Sequence, residues 1–171
     1  LRHCILPAIK GQNMKDSRRG YHREYYLQSK RPSCFTDITP DLPSNVILVT
    51  TLESNRDAGY ELVSKAPPPS ERYRQFRALR HSRKVLTVEP IMEFDHADFL
   101  RWILDLRPEC VWLGFNSRPA SVRLPEPSEA SVQRLVDALV ANGIKVRGKT
   151  LRGVRVPPTA TGESCNEGGR S

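Results

Sequence analysis

Four apolar runs of strand length stop at residues able to do chemistry. Val46–Leu52 gives way to Glu53, Val85–Val88 to Glu89, Val111–Phe115 to Asn116, and Ile144–Arg147 runs out just before Lys149. A carboxylate at a strand end can accept hydrogen bonds from a substrate amine or from ribose hydroxyls, an amide can read a polar ligand, and paired cations can hold a carboxylate or phosphate. Glu53 and Ser54 open the polar stretch through Asp57, where the alternative to ligand binding is an ion pair with Arg56 or Lys65. Glu89 precedes Pro90, which biases the glutamate toward extended backbone and pins it at the strand end. That rigidity suits a ligand-positioning group and equally a carboxylate that satisfies loop amides. Asn116 and Ser117 stand ahead of Arg118–Pro119, a place for either a ligand contact or a turn. Arg147 and Lys149 are two apart, so a strand puts both on one face as an anion site or as surface charge.

The segments between these runs have helical spacing. Phe99, Trp102, Ile103 and Leu106 follow Asp95 and Asp98 and stop at Pro108, which predicts a helix over 96–106. Pro127–Ser128 opens a second, with Val132, Leu135, Val136, Leu139 and Val140 on one stripe before Gly143. A third follows Pro67–Pro68–Pro69 over about Ser70 to Leu79; Tyr73, Phe76 and Leu79 share its apolar side, and Arg72, Arg74 and Arg77 are expected to be solvated. Glu93 and Asp95 suit the positive end of the helix that follows them. Strand alternating with helix predicts an α/β fold with a parallel sheet, whose chemistry lies at the carboxyl ends of the strands. Glu53, Glu89, Asn116 and Lys149 then share one rim. Near-continuous apolar strands call for cover on both faces.

The expected organisation is a poorly defined region 1–45, a partial β/α barrel over 46–153 of about four parallel strand–helix units, and a tail 154–171 with the composition of a disordered end. Residues 1–45 hold one candidate helix, from about Ser17 to Gln28, with a thin apolar face. An open sheet edge is left over, for residues 1–45 or another chain to cover.

Composition narrows the classes. A chain of 171 residues suffices for one domain with a core, and a complete eight-unit barrel takes about 250 residues. No stretch approaches a membrane span and the amino-terminal apolar patch is too short for a signal peptide, so a cytoplasmic protein is expected. The net charge of +8 resides at the ends: residues 46–144 hold 13 basic and 13 acidic side chains, residues 1–45 hold 8 and 4, and residues 145–171 hold 6 and 2. This distribution favours solvated basic ends over a specific nucleic-acid surface and leaves weak, salt-sensitive attraction to polyanions open. Cys4, Cys34, Cys110 and Cys165 lie too far apart for a metal loop, and the four histidines have no ligand spacing, so no metal site is expected.

Thr51–Asp57, Ser64–Arg72, Val88–Asp95, Trp112–Ser117 and Leu124–Ser128 together resemble the later half of radical SAM superfamily proteins, over about Asn45 to Gly153. The resemblance is to an uncharacterised group in bacteria, archaea and phages. It implies an incomplete β/α barrel, and S-adenosylmethionine with a [4Fe-4S] cluster as the cofactors of full-length relatives. It also implies that Glu53, Ser54, Glu89 and Asn116 belong to the rim facing cofactor and substrate. The Cys-x-x-x-Cys-x-x-Cys cluster loop of that superfamily has no counterpart in this chain. The expectation is therefore a truncated or inactive radical SAM-like protein that holds no cofactor itself. The alternatives are an accessory subunit docking on a cluster-bearing chain, self-association through the open sheet edge, and a basic nucleic-acid-binding module.

Overall fold

Backbone and burial follow the alternation of apolar runs and amphipathic segments closely, with one strand more than the runs predict. The computed structural model describes residues 1–158. Helix α1 (Ile5–Ser17) leads to β1 (Tyr25–Gln28), then β2 (Val46–Thr51), α2 (Pro69–Ala78), β3 (Lys84–Val88), α3 (His96–Leu106), β4 (Cys110–Leu113), α4 (Glu129–Ala141) and β5 (Lys145–Gly148). The five strands form one sheet in the order β1-β2-β3-β4-β5, every neighbouring pair parallel. The sheet is open and does not close into a barrel.

Sequential order places the helices on one face. Helix residues Ile9, Phe76, Phe99, Ile103, Leu135 and Leu139 share one apolar cluster with Val46, Leu48, Leu86, Val88, Val111, Leu113 and Val146 of the sheet. Strand alternation sends the remaining strand side chains to the opposite, open face, where Ile47, Val49, Val85 and Cys110 form a small second cluster with Trp112 against it. None of that cluster comes from a helix, so among the described residues the helices cover one face of the sheet.

The helix ends explain themselves. Ser128 caps α4 by accepting a hydrogen bond from the Ser131 amide at 3.2 Å, and Gly143 takes positive φ (77°) just past its end. Asp95 occupies the N-cap position of α3 without capping it. Its carboxylate instead binds Arg56, which also holds Glu93, so these acids clamp the loop after β2 to the loop before α3.

The ends of the chain depart from expectation. The amino-terminal helix spans Ile5–Ser17 and not Ser17–Gln28, of which Tyr25–Gln28 is strand. Residues 1–45 thus contribute a helix, an edge strand and short 3-10 turns at Pro32–Phe35 and Thr39–Asp41 that bury Phe35 and Ile38. They move the open edge outward to β1 without covering it. At the other end, Val154 is buried, and Arg155 exchanges backbone hydrogen bonds with the Gln133 side chain of α4. Packed structure therefore continues past 153, and residues 159–171 of the expected tail lie outside the described residues. No helix among the described residues is long and apolar enough to cross a membrane.

Candidate functional site

The parallel sheet brings the rim residues to one end, and strand register then sorts them into layers. Val49 stands opposite Val85, and Val85 opposite Cys110, which in turn faces Lys145. Two residues further along, Thr51, Thr87, Trp112 and Arg147 form the next row. One step past the rows Val88–Leu113 and Leu113–Gly148 come Glu89, Gly114 and Lys149. Asn116 lies beyond that row, so glycine and not asparagine occupies the layer between Glu89 and Lys149.

Glu53 is occupied within the protein. It is 2% exposed and accepts hydrogen bonds from Arg72 Nη2 at 2.6 Å, Lys30 Nζ at 2.6 Å and the Tyr60 hydroxyl at 3.2 Å. Its ion-pair partners are thus Arg72 and Lys30, not Arg56 or Lys65. Arg72 is wholly buried, contrary to its expected solvation, because it leaves α2 to bind both Glu53 and the Thr51 carbonyl under the Tyr60 ring. Burial alone would raise the pKa of Glu53. The Arg72 charge and hydrogen bond, with those of Lys30, outweigh it and hold the carboxyl below its usual range. Burial and the Glu53 charge push the Tyr60 hydroxyl up.

Ser54 and Asn116 build loops. Ser54 is fully buried, donates to the Glu93 carbonyl and accepts from the Arg56 amide. Asn116 accepts from the Arg118 amide at 2.9 Å and donates to the Val122 carbonyl at 2.6 Å, a side-chain turn that orders the loop after β4. Glu126 supports this loop by accepting from the Asn116 amide and pairing with Arg152.

Glu89, Arg147 and Lys149 remain on the open face. Glu89 is partly exposed and its Oε2 lies 3.6 Å from Lys149 Nζ. The Arg147 guanidinium stands 5.4 Å from the centroid of the half-buried Trp112 ring. Beside them the Thr51 and Thr87 hydroxyls share a hydrogen bond at 2.7 Å, and the Gln28 amide donates to Thr51 at 3.3 Å. The open face at the carboxyl end of the strands therefore carries hydroxyls, an amide, an indole, two cations and one carboxylate.

Gln28, Thr51, Thr87 and Trp112 join this face from within or at the end of strands, where the position of the rim residues does not reveal them. A signal was present for the threonines: Thr51–Leu52–Glu53 and Thr87–Val88–Glu89 repeat the same spacing, with a hydroxyl two residues before each rim glutamate. No comparable signal marks Gln28, which needs β1 to be recognised as a strand.

The described cysteines do not suit a [4Fe-4S] cluster. Cys4 precedes α1, Cys34 sits in the exposed turn after β1, and Cys110 is buried at the start of β4. No group of three His, Cys, Asp or Glu side chains among the described residues is placed to hold a metal ion. Comparison with protein-family models, with curated proteins and with solved structures returned no match.

Proposed function

We propose that this chain is a radical SAM-like partial barrel whose open face is a binding wall, in a form that does not perform cluster chemistry on its own cysteines. The observation that supports this reading is the row structure of the open face. Thr51, Thr87, Trp112 and Arg147 lie in one layer, and Glu89 and Lys149 lie in the next, at the carboxyl ends of parallel strands. Ligand sites in parallel α/β sheets occupy that end. The wall binds and orients; the described thiolates lack the grouping that a redox cluster requires.

Anaerobic reconstitution with iron and sulfide, followed by metal and sulfide analysis and a S-adenosylmethionine cleavage assay, tests the reading. The expected result is less than stoichiometric iron and no reductive cleavage. Four irons per chain with cleavage to methionine would overturn it.

A second reading rests on the edge of the sheet. Among the described residues β1 is an edge strand whose sheet partner is β2, and beside it runs an apolar groove of about 520 Å3 lined by Ile5, Ala8, Ile9, Tyr25 and Leu27. An edge strand beside such a groove can accept a further strand. The chain would then be an accessory subunit that extends its sheet with one from a cluster-bearing chain or from a second copy. Co-purification of a stoichiometric partner, or a dimer in sedimentation that β1 proline substitution abolishes, would favour it.

A further inference from the structure

We propose that the open face binds single-stranded nucleic acid, with the sugar–phosphate backbone tracking β5 and bases stacking on Trp112. The proposal rests on the reading of that face as the binding wall and names its ligand.

The basic excess at the carboxyl-terminal end of the sequence becomes a line of charge once β5 pairs with β4. Val146 faces the core, so alternation puts Lys145, Arg147 and Lys149 on the open face, at steps of roughly 6.6 Å. Lys145 is exposed and the Lys149 side chain is 67% exposed. Three cations in line on an open wall suit a polyanion that runs along them.

Stacking comes from the neighbouring strand. Trp112 is opposite Arg147 in register and presents a half-buried indole beside the guanidinium, a pairing that accepts any base through its π-face. Tyr26 adds a second ring, 42% exposed, at the far edge of the same face. Between them Gln28, Thr51 and Thr87 supply hydroxyl and amide groups able to meet base edges.

One carboxylate, Glu89, shares this track, and the phosphate must compete with it for Lys149. Glu24 and Glu109 both pair with Arg83 at the base of the face. A duplex fits less well, because reading it needs an element that enters a groove, whereas a flat wall meets splayed bases directly.

Fluorescence anisotropy with labelled twelve-nucleotide oligo(dT) and oligo(U), and with a duplex of equal length, at several salt concentrations tests the proposal on the full chain. Single strands should bind more tightly than duplex. The combined variant Lys145→Ala, Arg147→Ala, Lys149→Ala should reduce the log–log salt slope by about 1.4 to 2, as loss of two to three phosphate contacts to a single strand requires, Lys149 being shared with Glu89. Trp112→Ala should weaken binding by about 5- to 100-fold and Trp112→Phe should restore most of it. The control Arg74→Ala, Arg77→Ala, Arg101→Ala removes the same charge from exposed helix positions and should leave affinity unchanged. Circular dichroism melts establish that each variant is folded. Absence of single-strand binding, equal loss in the helix-side control, or duplex binding insensitive to Trp112→Ala would overturn the proposal. The iron and cleavage assays are independent of oligonucleotide binding, so failure of one reading is separable from failure of the other.

Discussion

Glu89 and Lys149 follow the ends of β3 and β5, strands that are not neighbours, and they meet 3.6 Å apart across Gly114, the residue after β4 between them. A Cβ on Gly114 would lie 3.4 Å from Glu89 Cγ and Cδ and 3.3 Å from the Thr150 amide nitrogen. The missing side chain is what lets the glutamate lie over the end of β4 and reach the lysine after β5. The glycine thereby shapes the open face as directly as the charges do.

Gly114→Val is expected to force Glu89 off this path, since branching adds methyl groups where even Cβ is tight. Overpacking of this kind costs about 1–3 kcal/mol, to be read as a lower urea midpoint with unchanged slope. Glu89→Gln, which removes only a partly exposed ion pair, should shift stability by less than about 1 kcal/mol.

Arg72→Ala is expected to be the most damaging single change near the rim. It leaves the buried Glu53 with Lys30 and Tyr60 alone and strips the Thr51 carbonyl of its Arg72 hydrogen bond. Breaking one side of a buried pair costs about 3–5 kcal/mol. A double-mutant cycle with Glu53→Gln, measured by chemical denaturation, should show that the two changes are far from additive.

Acid should unfold the protein partly through Glu53. Its folded pKa lies below the unfolded value of 4.5, so its stabilising contribution is complete above that pH and is lost as pH falls through the folded pKa. Arginine hydrogen bonds depress Asp16, Asp95 and Glu126 in the same direction, through Arg23, Arg56 and Arg152 respectively. Wild-type stability should fall steeply below about pH 4.5, and Glu53→Gln should start lower and fall less steeply. Melting temperatures across pH 2–7 check both.

Asn116→Ala is expected to loosen the loop after β4 without disturbing the sheet. It removes the acceptor for the Arg118 amide and the donor to the Val122 carbonyl, at about 1–2 kcal/mol. Hydrogen exchange should accelerate over residues 117–126 and stay slow in β3 and β4.

The sequence by itself determined the β/α alternation, four of the five strands, the helices α2, α3 and α4, and the common end shared by Glu53, Glu89 and Lys149. Those features depend on local periodicity: apolar runs of strand length, stripes at helical spacing, and proline or glycine at the boundaries. Residues 1–45 escaped that reading because α1 buries little beyond Leu6 and Ile9, and β1 is four residues whose partner, β2, begins some twenty positions later. Only the tertiary structure decided which rim groups stay available. Glu53 and Glu89 both follow a threonine two residues earlier, yet Arg72 of α2 reaches one of them and not the other. Register is likewise a relation between strands, and it alone puts Gly114 between Glu89 and Lys149, Trp112 beside Arg147, and Asn116 outside the row. Neither a side chain's reach from another element nor the alignment of two strands is written in the spacing of one segment, because both arise from long-range packing.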